Sequence, residues 1–394
     1  MTKSKKIISS LLVAIFLLAL IVPAAAAERE EIPISFNGQS LNAKAYLLEG
    51  VTQIDVGSIA KIPGVEVSVE GYVPLRQFFE EIGAVVKWND QERSVAVTWR
   101  DTNGPWTANE LVVESNQVLL DYNTYKMTGT SNMTLNIDGP EDVPAMPEML
   151  VVMDGAYQQQ PLAMHMKQII PMADLGLSEE ELAQLGMTEM VTEIVWNDTG
   201  MYQKIPFVDQ WIVQDFAAAG LDDMLNQLTQ VSPQQSLEMM EQFGMFYTFG
   251  DDQVIDGKEY YVVNTYVDSA VFKQLIEEML GQFVMPEALG MDELDDAMAA
   301  EFNALFKQML ESMELEYFYQ ALINKETLTT DYIYFDMFMS FVMSDPAMPG
   351  EEAKFAADMK GEFSMFDFGV EIQLPDVSNA MSQQEYFELM MQGM

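Results

Sequence analysis

The chain contains no cysteine and a single histidine, His165, among its 394 residues. The lack of cysteine excludes disulfides, thiolate metal sites and a lipid attached through a cysteine side chain. One imidazole cannot form a multi-histidine metal site, and there is no G-x-S-x-G sequence to supply a nucleophile for it. Phosphate-binding G-x-x-x-x-G-K-[ST] and G-x-G-x-x-G sequences are also absent. We therefore interpret His165 as a structural or surface residue.

Basic residues are scarce as well. The chain has 19 lysines and arginines but 62 aspartates and glutamates, which gives a formal net charge of −43. Such a chain repels nucleic acid and anionic lipid surfaces, so nucleic acid is not expected as a partner. The remaining partners are cations, basic wall or envelope components, and apolar ligands shielded inside the fold. A dispersed acidic surface that is only solvated is the simpler alternative.

The many carboxylates do not form a recognisable site. Asp251-Asp252 and the run 292–296 lack the alternating D-x-D-x-D-G loop of calcium sites, and solvated turns explain them better. No carboxylate pair is singled out by its spacing for glycoside hydrolysis. We expect no cofactor, no metal site and no enzymatic activity.

Residues 1–27 have the pattern of a secretory signal peptide. Lys3, Lys5 and Lys6 precede the apolar run 7–22, and the small residues 23–27 offer a cleavage site. The alternative is an uncleaved membrane anchor, although the run is shorter than a spanning helix requires. No other stretch is apolar enough to cross a membrane. We predict a secreted or envelope-associated protein with no integral span after cleavage.

The spacing between Gly71 and Trp99 predicts a helix packed on a β-hairpin. Pro74 suits the first helical position, where a missing N–H costs nothing, and Gly83 suits a left-handed helix end. Between them the apolar residues follow helical spacing: Leu75, Phe78, Phe79 and Ile82. Alternating apolar residues on both sides of Asn89-Asp90 then predict two strands joined by a turn.

Short motifs in this region are Asn37-Gly38, the run 72–76 and Gly83-Ala84. Together with Trp88 they resemble the copper amine oxidase N-terminal-like domain, a small α/β module of secreted and surface bacterial proteins. The module would span residues 28–101, with a structural signature of Pro74, Leu75, Arg76, Gly83 and Trp88. The resemblance implies a non-catalytic stalk. The copper site of that family's separate catalytic domain needs three histidines, which this chain lacks.

Beyond a turn-rich linker at 102–110, residues 111–394 have a different pattern. Apolar residues alternate over long stretches, including 333–341 and 366–374, and two helical stripes lie between 269 and 313. Strands of 9 to 14 residues exceed the usual five or six. We predict an α+β fold in which a small α/β module precedes a large curved antiparallel sheet covered by helices.

Several motifs of this segment are 132–136, 161–167, 200–204, 316–319 and Leu374-Pro375. They resemble bacterial envelope proteins of unknown function related to the lipoprotein-carrier superfamily, over about residues 115–385. The resemblance implies an open antiparallel half-barrel whose concave face is covered by helices. Many such relatives carry a lipid-anchoring cysteine that this chain does not have.

Methionine is unusually frequent, with 32 residues. Thioethers can fill a core, line a pliable apolar groove or bind Cu(I), and the alternation with other apolar residues favours the first two roles. The leading hypothesis is a non-catalytic envelope protein that binds an apolar, lipid-like ligand. Its candidate lining residues are Phe335, Met337, Met339, Phe366 and Phe368. The alternative is a cell-surface interaction protein that uses its acidic surface and has no ligand cavity.

Overall fold

The computed structural model describes residues 31–48, 50–60, 71–138, 147–175, 186–204, 210–215, 232–267, 271–274, 307–344 and 352–382, with a few single positions between them. The signal peptide predicted at 1–27 and residues 275–304 of the predicted helices lie outside the described residues. Two compact units are present: 1–60 with 66–97, and 61–65 with 98–394. The described chain is mostly β-sheet with few helices.

The described residues of the first unit form two small sheets and two short helices. A mixed sheet has the order β2-β1-β7-β6, in which β1 and β7 are parallel, and an antiparallel sheet has the order β3-β4-β5. The bounds are β1 Ile34–Phe36, β2 Gln39–Leu41, β3 Ala45–Leu48, β4 Val51–Asp55, α1 Val56–Ile59, β5 Tyr72–Pro74, α2 Leu75–Glu81, β6 Val85–Asn89 and β7 Ser94–Thr98.

The predicted helix and its two following strands are present, and the apolar stripe forms the core of this unit. Leu75 and Phe79 are fully buried, and the Phe79 ring lies 6.0 Å from that of Phe36. Gly83 has the left-handed φ of +88° that the helix end requires. Pro74 lies one position before the helix and not at its first position, as had been expected. Its ψ of 111° is extended, so it occupies the N-cap position and the helix begins at Leu75.

The other signature residues make local contacts in the same unit. The Arg76 guanidinium donates to Val86 O at 2.9 Å and to Glu80 Oε1 at 3.1 Å. Trp88 Nε1 donates to Asp90 Oδ1 at 2.7 Å and so closes the turn after β6. These contacts stabilise the helix, the strand and the turn.

Residues 102–110 are not an irregular linker. They form a two-stranded hairpin, β8 Thr102–Asn103 with β9 Trp106–Thr107, and the start of helix α3 Ala108–Tyr122. The helix begins here because Thr107 and Glu110 form a capping box: Glu110 N donates to Thr107 Oγ1 at 3.2 Å and Thr107 N donates to Glu110 Oε2 at 2.9 Å. This helix was not predicted from the sequence.

We expect Thr107→Ala to lower the free energy of unfolding by about 1 kcal/mol, because it leaves a helix N–H without its cap. Urea denaturation measures the change. Thr107→Ser keeps the capping hydroxyl and is the matched control. Equal losses in both variants would contradict a capping role for this residue.

In the described part of the second unit, thirteen strands form one sheet. Its order is β16-β18-β19-β20-β21-β10-β11-β12-β13-β14-β15-β22, and β17 pairs with β18. The bounds are β10 Thr124–Asp138, β11 Met149–Gln158, β12 Ala163–Pro171, β13 Glu189–Asn197, β14 Gly200–Lys204, β15 Ile212–Asp215, β16 Met245–Phe249, β17 Gln253–Ile255, β18 Lys258–Val267, β19 Glu314–Asn324, β20 Thr330–Ser344, β21 Glu352–Phe366 and β22 Met381–Ser382. This unit also contains a 3₁₀ turn at Met172–Leu175 and helix α4 Pro233–Gln242.

The long strands predicted from the alternation are confirmed, since β10, β20 and β21 have 15 residues each. The sheet is mixed rather than purely antiparallel. At one end β22 pairs with β15 in parallel, and Met381 N donates to Trp211 O at 2.9 Å. The irregular stretch 370–380 leads the chain back to the sheet at β22. A strand of two residues is too short for an alternation of apolar residues to predict its direction.

The two faces of this sheet differ in chemistry. Paired residues in an antiparallel ladder share a face, and one row across four strands joins Met337, Met359, Met133 and Met149. We call this row the methionine row and the side that it occupies the apolar face. The opposite side, the polar face, carries the ion pair Lys360–Asp336 at 3.0 Å.

Two aromatic rings lie on glycines in the middle of the apolar face. The Phe335 ring would be 2.6 Å from a Cβ at Gly361, and Phe363 occupies the same place at Gly129. The two rings stack with centroids 5.6 Å apart and an interplanar angle of 14°. The glycines therefore leave the space in which this aromatic pair packs.

The predicted alternation at 366–374 is not a strand. Strand β21 ends at Phe366, and Asp367 and Gly369 have φ angles of +52° and +74°. These left-handed residues turn the chain away from the sheet, because extended strands require negative φ. Phe368 lies in that turn, and residues 370–377 have no regular structure.

Candidate functional site

A cavity of about 220 Å³ lies between helices α3 and α4 and the apolar face of β16, β18 and β19. Val112 of α3 and Leu237 of α4 line it from the helices, and Val263, Ala321 and Ile323 line it from the sheet. Met240 and Met245 add two thioethers at the same cavity. Its walls are thus mainly apolar.

A buried cluster holds these walls in place. The α4 side chain Leu237 and the sheet residues Val263, Ala321 and Ile323 pack with Leu111, which is fully buried on α3. Helix α4 begins at a second capping box, in which Gln235 N donates to Ser232 Oγ and Ser232 N donates to Gln235 Oε1. Two capped helices are therefore packed on one face of the sheet.

Three tyrosines, Tyr247, Tyr317 and Tyr319, line the cavity. Burial raises the pKa of Tyr247 to about 12, with a further contribution from the Glu241 carboxylate. Burial also raises the pKa of Tyr317 and of Tyr319. All three hydroxyls are therefore neutral around pH 7.

Two further hydroxyls are hydrogen-bonded to each other at the cavity wall: Ser115 Oγ and Thr330 Oγ1 are 3.0 Å apart, and both residues are buried. Thr265, which is 4% exposed, differs from them. Within the described chain its Oγ1 is buried and makes no hydrogen bond. No charged side chain stands among the described residues that line the cavity.

The raised tyrosine pKa values predict that stability falls at high pH. Unfolded tyrosine titrates near 10, so the unfolded state loses its proton first and the stabilisation disappears between pH 10 and 12. The free energy of unfolding therefore falls with pH in this range. We expect Tyr247→Phe to make this decrease smaller by about 1.4 kcal/mol per pH unit, the contribution of one proton. Urea midpoints from pH 8 to 12 measure it. Tyr202→Phe, on strand β14, is the matched control, and an identical effect of both variants would contradict the assignment.

The structure brings together only three of the five predicted lining residues. Phe335, Met337 and Met339 share the apolar face and pair with Tyr319, Tyr317 and Leu315 of β19. They are neighbours of the cavity but do not line it.

The other two predicted residues lie elsewhere. Phe366 pairs with Lys126, on the opposite face from Met365, and is 40% exposed. Phe368 packs in its turn against Tyr122, with ring centroids 5.7 Å apart. Phe366 is thus on the polar face because of its register in β21. Phe368 follows the end of that strand and also packs against Tyr125 of the apolar face, with ring centroids 6.4 Å apart.

None of the residues that line the cavity was among the predicted lining residues; they come from α3 and α4 and, in larger number, from the strands. The capping-box pattern Thr107-x-x-Glu110 could have predicted α3 from the sequence. Val112 and Ser115 of this helix line the cavity. Tyr317 and Tyr319 belong to the motif 316–319. Their two-residue spacing puts both on one face of a strand.

His165 lies on the polar face, where its Nε2 is 3.2 Å from Glu193 Oε2. Within the described residues no group of three or more histidines, cysteines, aspartates or glutamates is arranged to hold a metal ion. The helices that the structure describes include none long and apolar enough to cross a membrane.

The chain belongs to the family of unknown function DUF6612, which matches residues 107–382. That match contains α3, α4 and the sheet. It begins after the first unit, for which the copper amine oxidase N-terminal-like assignment stays a prediction. A search among curated proteins finds no match.

Solved structures give distant similarities. The lipoprotein LppX of Mycobacterium tuberculosis is 10% identical, with 67% of this chain and 98% of that one covered and a TM-score of 0.28. LprF from Mycobacterium bovis is 11% identical, with 68% and 96% covered and a TM-score of 0.31. A DUF1329 family protein from Desulfovibrio piger is 8% identical, with 67% and 93% covered and a TM-score of 0.23. Because each TM-score is below 0.5, we draw the function from the chain's own residues.

Proposed function

We propose that this chain is a non-catalytic cell-envelope protein that binds an apolar, lipid-like group between helices α3 and α4 and the sheet. The observation that carries the proposal is the cavity of about 220 Å³ with its mainly apolar wall. Concave apolar sites with a few polar groups are typical of ligand binding.

The size of the cavity limits what it accepts. An apolar cavity of about 150 Å³ holds a benzene molecule, and sites for drug-sized ligands begin at about 300 Å³. This cavity lies between them, so it accommodates one ring or a short segment of an acyl chain. A longer ligand would extend beyond it.

The methionine row offers a path for the rest of such a ligand. Met337 pairs with Tyr317, a lining residue, and the row then continues through Met359 and Met133 to Met149 on the same face. Methionine side chains adapt to irregular apolar shapes, which suits a surface that accepts flexible chains. In this proposal the sheet is a half-barrel whose concave side is the apolar face.

The remaining parts of the proposal concern location and chemistry. Residues 1–27 would direct export, and residues 28–101 would be a stalk module of the copper amine oxidase N-terminal-like type. A non-catalytic role is supported by the tyrosines of the cavity, because a phenol with a raised pKa stays protonated and is a poor nucleophile.

Native mass spectrometry of the full chain purified from its own cell envelope tests this function. We expect a bound species of lipid mass, and we expect Ala321→Leu to remove it because the added side chain fills the cavity. Ala156→Leu is the matched control, since Ala156 lies on the polar face of the same sheet between Lys126 and His165. A wild-type protein free of any bound species, or equal retention by both variants, would contradict the proposal.

A further inference from the structure

We propose that the first unit binds a small molecule in which one carboxylate is joined to an apolar body, and that the Arg76 guanidinium receives the carboxylate. The binding place is a further cavity, of about 460 Å³, between the β3–β4 hairpin, the start of α2 and the strands β6 and β7. We call it the Arg76 pocket. Its described lining residues all belong to the first unit, so the inference is independent of the proposed function.

The walls of the Arg76 pocket suit an apolar body. Leu47 and Val51 line it from the hairpin, and Val86 and Val95 line it from the strands. Val51 is 46% exposed, and its cross-strand partner Leu48 is 49% exposed. A ligand in the pocket would take part of this apolar surface out of water, which favours binding. The volume of the pocket is within the range of about 300–1,000 Å³ that is typical of sites for small organic ligands.

One part of the wall is an indole ring that is held in place. Trp88 lines the pocket, and its Nε1 donates to Asp90 Oδ1 at 2.7 Å. An aromatic ring that is already fixed packs against a flat ligand with little further loss of side-chain freedom. Trp88 therefore favours a ligand whose apolar body is aromatic.

Arg76 is the one charged residue among the described residues that line the pocket. Its two hydrogen bonds within the described chain, to Val86 O and to Glu80 Oε1, both use Nη1. The edge formed by Nε and Nη2 makes no hydrogen bond to a described residue, and such an edge matches the two oxygens of a carboxylate. The side chain is 55% exposed, so a ligand reaches the guanidinium while the bond to Val86 O holds it in position.

The charges at the pocket favour a ligand with a single negative charge. Glu80 already pairs with Arg76, but both side chains are more than half exposed, and exposed ion pairs are weak. A carboxylate can therefore bind at the other edge of the guanidinium, whereas a phosphate dianion brings more negative charge than one arginine balances. Acidic residues farther away have less influence, because physiological salt screens charges beyond about 8 Å.

Probes with a common naphthalene body test the class of ligand: naphthylacetate, the uncharged naphthylacetamide, the cation naphthylethylamine and the dianion naphthyl phosphate. Isothermal titration calorimetry on the full chain at pH 8 measures their affinities. We expect naphthylacetate to bind at least about tenfold more tightly than the amide, the value of a charge-assisted hydrogen-bonded pair, and more tightly than the amine and the phosphate. Equal affinities of acetate and amide, or tightest binding of the amine or the phosphate, would overturn the inference.

Three variants test the role of Arg76. Arg76→Lys keeps the charge but loses the planar fork, so we expect it to lose most of the preference for the acetate over the amide. Lys87→Gln is the matched control, because Lys87 is exposed on the opposite side of β6 from Val86 and Trp88, and the preference should persist. Glu80→Gln removes the competing carboxylate and should raise the acetate affinity about threefold, which a purely structural role of Arg76 would not produce.

Circular dichroism verifies that each variant is folded, and Glu80→Gln decides the question if Arg76→Lys is not. The uncharged amide should bind all three variants as it binds the wild type. Unchanged acetate affinity in folded Arg76→Lys, an equal loss in Lys87→Gln, or no gain in Glu80→Gln would overturn the inference and leave the proposed function of the second unit unaffected.

Discussion

Replacement of Gly361 by alanine is expected to lower the free energy of unfolding by about 3 kcal/mol or more, the largest effect that we predict for a single methyl group. A Cβ at this position would lie 2.6 Å from two atoms of the Phe335 ring and 2.6 Å from Thr130 O. The ring could rotate away only by giving up its stacking on Phe363. The carbonyl belongs to the adjacent strand, so β10 and β21 would have to separate.

Gly155→Ala is the control on the same face of the same sheet. Its added Cβ would meet the Met127 side chain, with Cγ at 2.9 Å, and a methionine can change rotamer at small cost. We expect this variant to lose less than about 1 kcal/mol. Urea denaturation followed by circular dichroism measures both. Similar losses for Gly361→Ala and Gly155→Ala would contradict this prediction. They would mean that the contacts of the added Cβ with the Phe335 ring and Thr130 O do not cause the destabilisation.

The second large effect is expected for Leu237→Ala, which removes a buried side chain from the wall of the cavity. Substitutions of this kind cost about 2–5 kcal/mol, because apolar contacts are lost and an empty volume remains. Here that volume joins a cavity that already exists. We therefore expect an apolar probe to restore part of the stability, and to restore more in the variant than in the wild type.

Thermal unfolding with and without saturating ethylbenzene tests this expectation. Val254→Ala is the matched control: Val254 belongs to β17 of the same sheet and is 68% exposed, so its loss should change stability by at most about 0.5 kcal/mol. A Leu237→Ala variant that unfolds earlier but gains nothing from ethylbenzene would show that the cavity does not accept apolar molecules.

Some of this architecture could be predicted because its signals are local and periodic. The alternation of 333–341 and of 132–137 follows from a strand with one apolar face, and strands β20 and β10 contain these residues. The stripe from Leu75 to Phe79 predicted α2 for the same reason. In each case the periodicity of the element and the environment of its face agree.

Other parts depend on contacts between distant residues. The cavity joins Val112, Leu237 and Tyr319, which are far apart in the sequence and meet only when α3 and α4 pack on the sheet. The alternation at 366–374 was misleading because Asp367 and Gly369 adopt positive φ, and aspartate at such a position has no strong sequence signature. The capping box of Thr107 and Glu110 predicts the start of helix α3. The turn-forming residues just before it led to the prediction of a linker instead.

The methionine row makes the apolar face chemically alterable. Without cysteine, all sulfur of the chain is in thioethers, and four of them lie side by side on Met337, Met359, Met133 and Met149. Oxidation to the sulfoxide changes each of these from an apolar to a polar side chain, and reductases can reverse it. An oxidant would thus make this row polar, and under the proposed function an apolar chain would then bind less tightly.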